Sequence, residues 1–145
     1  MTENSVSRRS FLVGACTIAT LGMGAALLTD DAEAATGVKR RKDGSVEVSV
    51  KKVAALGTVG GVAILGNVKG VPAAVVRTGT DTYTALDLRC THQGVPVNQG
   101  GTGWSCPAHG SQFKANGDVV RGPAEANLAI MKSRWVPKNS TLIVG

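Results

Sequence analysis

The sequence predicts an all-β protein, built as an antiparallel sandwich or barrel, and three observations support that fold class. Val46, Val48 and Val50 alternate with polar residues, which is the period-two pattern of a half-buried strand. Short β-rich runs follow, separated by turn pairs such as Gly66-Asn67. No segment after residue 44 has helical spacing of its apolar residues. The further strands are expected at residues 62–68, 72–78, 82–88, 128–136 and 141–144.

The first 34 residues have the organisation of an export signal. Arg8 and Arg9 are followed by a stretch without charge over residues 11–28, and then by the small-residue pattern Ala-Glu-Ala at 32–34. Paired arginines before such a stretch are typical of the twin-arginine route. Cleavage after Ala34 would place the protein in the periplasm or another extracytoplasmic space. The alternative is that the stretch is kept as a membrane anchor, and only then is a membrane contact expected.

The remaining chain is strongly basic. It carries fourteen basic and six acidic side chains, a formal charge of +8. Residues 35–44, with Lys-Arg-Arg-Lys at 39–42, are expected to form a basic, solvated linker before the domain. Such a charge attracts acidic proteins or anionic lipid. Nucleic acid is not an expected partner, because the protein is predicted to be exported and only 3% of its residues are aromatic.

One domain is expected over residues 45–145, and its chemistry is concentrated at about 89–114. Both histidines of the chain lie there, two and three residues after a cysteine: Cys90-Thr91-His92 and Cys106-Pro107-Ala108-His109. Thirteen residues separate His92 from Cys106. The stretch is rich in glycine, as expected of functional loops set in a β scaffold.

Three interpretations of these two pairs are open from the residues alone. A disulfide is the usual state of two cysteines in an exported protein, but it does not explain the histidines. A structural zinc-binding module with a Cys₂His₂ site is the second interpretation, although zinc sites usually take both cysteines from one loop and both histidines from another. An asymmetric two-iron cluster, with thiolates on one iron and imidazoles on the other, explains why each loop supplies one of each.

The motif Cys-Thr-His-Gln-Gly at 90–94 with Cys-Pro-Ala-His-Gly-Ser at 106–111 resembles the Rieske [2Fe–2S] domain. The resemblance extends from about residue 45 to 145. It implies the Rieske fold, an antiparallel β-sandwich or barrel base with a small loop-rich subdomain that binds the cluster. It further implies that Cys90 and Cys106 bind one iron and that His92 and His109 bind the other.

Five further residues are expected to contact or cover the cofactor. Gly94 and Gly110 let the backbone pass close to the cluster, where N–H groups can donate to sulfur. By the resemblance, the Ser111 hydroxyl donates to a bridging sulfide, and the loop containing Pro123 covers the cluster. Phe113 stands where high-potential members of the family have a tyrosine that donates to a ligand thiolate.

Val95 and Ala108 stand where quinol-oxidising members have the cysteines of a disulfide between the two loops. Their presence favours the ferredoxin-like or oxidase-subunit branch of the family. The expected function is therefore one-electron transfer to a redox protein partner, which could be a cytochrome, an oxidase subunit or a quinol complex. The alternative is a subunit of a membrane quinol–cytochrome c reductase or of an arsenite-oxidase-like complex. No catalytic residues of its own are expected.

Overall fold

The structure, a computed structural model, describes residues 36–145. The predicted signal segment 1–34 lies outside these residues. Within the described part, no helix is long and apolar enough to cross a membrane. Eleven strands make up the fold, together with one-turn 3₁₀ helices at Ala54–Leu56 and Pro137–Asn139. The prediction of an all-β protein is thereby confirmed.

The strands form three antiparallel sheets. The outer sheet has four strands in the order β1-β2-β11-β10, the central sheet has three in the order β3-β4-β5, and the small sheet has four in the order β6-β7-β8-β9. The outer sheet consists of β1 Val38–Arg40, β2 Val46–Ser49, β10 Ser133–Val136 and β11 Thr141–Val144. The central sheet consists of β3 Val62–Val68, β4 Val71–Arg77 and β5 Tyr83–Asp87. The small sheet consists of β6 Asn98–Gly100, β7 Gly103–Ser105, β8 Gln112–Lys114 and β9 Val119–Arg121.

Alternation along the central sheet divides the interior into two cores. Val75 and Ala85 face the outer sheet and pack with Val46, Val48 and Leu142 in the first core. Their chain neighbours Ala74, Val76 and Leu86 face the other way, because successive strand residues point to opposite faces. These neighbours pack in a second core with Trp104, Phe113 and both cysteines. The molecule therefore has three layers, with the central sheet shared between two cores.

The segment expected to be a basic linker contributes a strand to the outer sheet. Lys39 of β1 lies opposite Glu47 of β2, and the Arg40 guanidinium reaches the free edge of β3. There it donates to the carbonyl oxygens of Leu65, at 2.8 Å, and Asn67, at 2.6 Å. The expectation of a solvated tail is therefore wrong at these residues. A guanidinium bound to unpaired carbonyls also protects the edge of β3 from pairing with another chain.

The expected strand at 128–136 is shorter in the structure and begins at Ser133. Leu128 packs in the second core, while Met131 packs against the first. Between them the chain runs along the edge of β5, where Asp87 N–H donates to the Ala129 carbonyl and Met131 N–H donates to the Ala85 carbonyl. A segment that changes cores within three residues cannot keep a regular pleat, and this explains the later start of β10.

The alternation of apolar and polar residues did not reveal the small sheet. Each of its four strands has only three residues, which is too short to show an alternating pattern. The sheet nevertheless supports the loop that carries Cys106 and His109, because Trp104 of β7 pairs with Phe113 of β8 on the two sides of that loop. The Trp104 indole N–H donates to the Ala115 carbonyl at 3.1 Å, which indicates a packing role for this side chain.

Candidate metal centre

Two loops with the same backbone pattern carry the cysteine and histidine pairs. In the first loop, Cys90 N–H donates to the Val95 carbonyl and Gly94 N–H donates to the Cys90 carbonyl, at 2.8 and 2.7 Å. In the second, Cys106 N–H donates to the Ser111 carbonyl and Gly110 N–H donates to the Cys106 carbonyl, at 2.8 and 2.9 Å. Each cysteine is thus held between two backbone hydrogen bonds at the base of its loop, and each histidine lies beyond it in the turn.

Gly94 and Gly110 occupy equivalent positions in these loops. Their φ angles are +74° and +75°, in the left-handed region that residues with a Cβ avoid. A Cβ placed on either glycine would meet no other protein atom within 4 Å. The backbone angle, not a lack of space in the protein, therefore explains the glycines.

The thiols and the imidazoles occupy opposite environments. Cys90 and Cys106 are each only 1% exposed and are not joined in a disulfide. His92 and His109 are exposed at the surface. The two loops therefore present a buried sulfur pair and an exposed nitrogen pair, and the interpretation of the cysteines as a disulfide is not borne out by this geometry.

The two imidazoles converge on one point. Their Nδ1 atoms are 3.3 Å apart, and the rings meet at right angles with centroids 4.7 Å apart. Two nitrogens bound tetrahedrally to one metal at about 2.0–2.1 Å would lie about 3.3–3.4 Å apart. The separation of the Nδ1 atoms of His92 and His109 therefore fits a shared metal ion.

Backbone donors favour the anionic form of the second cysteine. Burial opposes ionisation of the Cys106 thiol, but the N–H groups of His109 and Ala108 and the thiol of Cys90 outweigh it, so that the pKa of Cys106 lies below its ordinary value. A thiolate is the form that binds metal. The second loop therefore favours the thiolate form of Cys106, which is the form that can bind a metal ion.

A third loop, residues 122–127, lies against both ligand loops. The Thr91 hydroxyl of the first loop donates to the Ala126 carbonyl at 2.6 Å. The Ser111 hydroxyl oxygen of the second loop accepts from Ala124 N–H at 3.0 Å. Ser111 is fully buried and Ala124 is 4% exposed. The third loop is therefore hydrogen-bonded to each of the loops that carry the cysteine and histidine pairs.

The other residues singled out from the sequence have different positions. Phe113 is 2% exposed and packs in the second core with both cysteines. Pro123 is exposed, and its neighbour Ala124 is the residue of that loop that packs in the core. Val95 is half-buried against the second core, whereas Ala108 is exposed. Phe113 is thus a core residue beside the cysteines, and Pro123 lies on the outer side of its loop.

Thr91, Ala124 and Ala126 were not singled out from the sequence. Each acts through a hydrogen bond to a residue 13 or 35 positions away along the chain. Thr91 lies between Cys90 and His92 in the motif, and this position was the available signal for its importance. Ala124 and Ala126 act through backbone atoms, which the identity of a side chain does not reveal.

The donor set fits a two-metal group better than a single metal ion. Among the residues described by the structure, no group of three His, Cys, Asp or Glu side chains is arranged to hold one metal ion. A buried thiol pair and an exposed imidazole pair instead match a cluster with two thiolates on one iron and two imidazoles on the other. Fold and donors together define a small β-protein of the iron–sulfur class.

Comparison with known proteins identifies the family. The sequence model of the Rieske [2Fe–2S] domain matches residues 46–132, and the chain belongs to this family. Its cofactor is a Rieske-type [2Fe–2S] cluster.

Two relatives are iron–sulfur subunits of cytochrome b6-f complexes. The one from Prochlorococcus marinus (strain NATL1A) is 42% identical over 76 residues, which are 50% of this chain and 43% of the relative. Subunit 1 from Nostoc sp. (strain PCC 7120) is 37% identical over 92 residues, 61% of this chain and 51% of the relative. The chain spans about half the length of the curated relatives that it matches.

A solved structure titled hyperthermophilic respiratory Complex III has a similar fold. It superposes with a TM-score of 0.52 at 25% identity, over 66% of this chain and 71% of that one. The expected Rieske architecture, with a β base and a small cluster-binding subdomain, is thereby confirmed.

Proposed function

We propose that the protein is an exported one-electron carrier in which Cys90 and Cys106 bind one iron while His92 and His109 bind the other. The observation that carries this assignment is the separation of buried thiols from exposed imidazoles whose Nδ1 atoms lie 3.3 Å apart. When bound, the cluster accepts and releases single electrons, at potentials of about −150 to +300 mV in this family.

The exposed imidazoles provide the electron's exit from the protein. Their Nδ1 atoms face each other, so the second ring nitrogens of His92 and His109 are left for solvent or for a partner. A redox partner can therefore approach the cofactor through these two exposed side chains.

Ser111 is oriented by the third loop. Its oxygen accepts from Ala124 N–H, so its own hydroxyl proton is left for another acceptor. The family resemblance assigns that proton to a bridging sulfide. Such a bond favours the more negative, reduced state, and Ser111 therefore raises the reduction potential.

The cofactor assignment is tested by composition and spectroscopy of the purified full chain. We expect two irons and two acid-labile sulfides per chain, together with the EPR spectrum of a mixed-ligand cluster after reduction. Cys106→Ser should lose the cluster, whereas Ser105→Ala, a neighbour in β7 outside the donor set, should retain it. A colourless preparation with one zinc per chain would show the zinc-module alternative to be correct.

The proposal of export rests only on the sequence of residues 1–34, because these residues lie outside the part of the chain that the structure describes. The twin-arginine route carries folded proteins, which suits a cofactor that is inserted before export. Arg8→Lys with Arg9→Lys should keep the protein in the cytoplasm, and Lys51→Arg with Lys52→Arg should not. Processing of the double signal variant to the same shortened, exported form would exclude this route.

A second candidate is a subunit of a quinol–cytochrome complex, in the periplasm or at the membrane. The relatives in cytochrome b6-f complexes favour it, whereas Val95 and Ala108 at the disulfide positions favour a separate carrier. Purification of the tagged full chain in mild detergent distinguishes the two candidates. Stoichiometric recovery of a haem-containing membrane partner would establish the subunit, and recovery of the chain alone would favour the carrier.

A further inference from the structure

Most of the surplus positive charge lies in the base formed by the outer and central sheets. Residues 88–127, which contain the small sheet and the three loops of the site, carry three basic and two acidic side chains. The rest of the described chain carries eleven basic and four acidic side chains. The site therefore has a formal charge of only +1, while the base has a formal charge of +7.

Part of the positive charge of the base lies on one face of the outer sheet. Lys39, Glu47, Ile143 and Arg134 lie side by side across all four strands, because each is the register partner of the next. Their chain neighbours Val48 and Leu142 are buried in the first core, so this row points away from the protein. The row therefore crosses the exposed face of the sheet.

Two more cations extend the row along the sheet. Arg41 donates to the Glu47 carboxylate at 2.7 Å, so the acid on this face is already neutralised. Lys132 lines a shallow groove together with Arg134 and Ile143. The Arg41–Glu47 pair is neutral as a unit, so Lys39, Lys132 and Arg134 leave this face with a net charge of +3 around the half-buried Ile143.

This face lies on the far side of the molecule from the site. It is the outer surface of the first layer, while the cysteine and histidine loops are packed beyond the central sheet with the second core. The central sheet and both cores therefore lie between the basic face and the loops that carry His92 and His109. A surface bound by this face would leave the imidazoles free for a redox partner.

The shape of the face favours an extended anionic surface over a single small anion. Four strands span about 14 Å, and the cations are spread over that width without converging. Dispersed lysines and arginines around an apolar centre suit an array of phosphate headgroups. Where the uncharged stretch 11–28 is kept as an anchor, it precedes β1 and is therefore tethered to this same sheet.

We propose that the exposed face of the outer sheet binds an anionic lipid surface. Lys39, Arg41, Lys132 and Arg134 supply the charge, and Ile143 lies against the headgroup layer. The bound protein holds its histidines on the side facing away from the lipid. The carrier then diffuses along the membrane with its exposed histidines turned towards redox partners. This orientation does not depend on which redox partner accepts the electron.

Vesicle sedimentation of the cluster-loaded full chain tests the proposal. Vesicles of phosphatidylcholine with 30% phosphatidylglycerol are compared with vesicles of phosphatidylcholine alone. The readout is the ratio of the two partition coefficients, so any insertion of residues 11–28 common to both does not count. We expect a ratio of about a hundredfold at low salt that falls towards one as salt is added.

A matched pair of double variants separates this face from net charge. Lys132→Gln with Arg134→Gln should lower the ratio roughly 25-fold, because each basic residue near such a surface contributes about fivefold. Lys114→Gln with Arg121→Gln removes the same charge from the small sheet and should change the ratio less than about twofold. Melting temperature and the visible spectrum verify that both variants are folded and loaded.

Hydrogen exchange of the unaltered protein gives a second, independent readout. Amides of residues 132–134 should gain protection on the anionic vesicles, while those of 108–110 should not. A ratio near one, an equal loss in both double variants, or protection at 108–110 would each overturn the proposal. If the cations of this face capture an acidic protein but no vesicles, the occupant is that protein and the lipid proposal is wrong.

Discussion

At the residue scale, two side chains beside the cysteines are expected to influence the reduction potential of the cluster. Ser111 is fully buried and its oxygen is already bonded to Ala124 N–H, so its orientation is set before the cofactor binds. Phe113 packs with both cysteines in the second core, but its side chain has no polar atom that could donate a hydrogen bond. The chain thus retains one of the two hydroxyl donors that the family resemblance associates with high potential.

Phe113→Tyr should raise the reduction potential, because it restores a hydroxyl donor towards a ligand thiolate. A hydrogen bond that favours the reduced state by about 1.4 kcal/mol corresponds to roughly 60 mV for one electron. Ser111→Ala should lower the potential by a similar amount, since it removes the existing donor. Protein-film voltammetry of both variants measures the two shifts, and a Phe113→Tyr variant with an unchanged potential would contradict this explanation.

Gly94→Ala and Gly110→Ala should each destabilise the protein by about 1–2 kcal/mol, because alanine is strained at their positive φ. Gly100→Ala is the matched control: that glycine is exposed in β6, has no positive φ and has room for a Cβ. It should be neutral or slightly stabilising. Denaturant unfolding measures the free energies, and equal effects at all three glycines would exclude backbone strain as the cause.

At the scale of elements, the third loop takes the place of a direct link between the ligand loops. Cys90 and Cys106 are free thiols and Val95 and Ala108 cannot form a bridge, so no disulfide joins these two loops. Both loops are instead hydrogen-bonded to residues 124 and 126. Asn127 holds the end of this third loop, since its side-chain oxygen accepts from Val119 N–H and its amide donates to Asp118.

Thr91→Val should shorten the lifetime of the bound cluster, since it removes the hydroxyl donor to Ala126 while preserving shape. The expected cost is about 0.5–1.5 kcal/mol for one hydrogen bond, or a roughly two- to tenfold faster loss. Decay of visible absorbance in the presence of an iron chelator measures the rate. Thr102→Val, at the exposed turn between β6 and β7, is the control, and an equal acceleration there would argue against the third loop.

At the scale of the whole molecule, the two cores differ in their dependence on the cofactor. The first core is closed by aliphatic side chains of two sheets, such as Val46, Val75 and Leu142. The second includes both cysteines and is bounded by three-residue strands and loops. Metal binding contributes to the folding free energy of the part that it holds together, which is the second core.

Removal of the cluster by acid and chelator, followed by return to neutral pH, should therefore affect one layer selectively. Amides of the loops at 90–95, 106–111 and 122–127 should exchange faster, while those of β2, β4 and β11 should retain their protection. Hydrogen exchange with mass spectrometry compares the two forms. Uniform loss of protection would indicate that the cores unfold as one unit.

Much of the fold and the donor set could be predicted because their signals are local. Period-two alternation and turn residues identified β3 at Val62–Val68 and β11 at Thr141–Val144 with the observed bounds. The paired spacing of cysteine and histidine indicated the cofactor because each ligand loop is a short, continuous segment. What a few consecutive residues specify can be recognised without knowing where the rest of the chain goes.

The sequence by itself determined the strand-rich class, the two cysteine–histidine loops and the Rieske cofactor. Only the tertiary structure decided that Arg40 protects the edge of β3, that residues 124 and 126 are bonded to both of these loops, and that Lys39 and Arg134 lie on the outer face of the outer sheet. The first two features join residues that are 13 to 35 positions apart in the chain, and the third depends on which face of the sheet is exposed. Chain packing creates such contacts, so the residues show their roles only once the three layers are assembled.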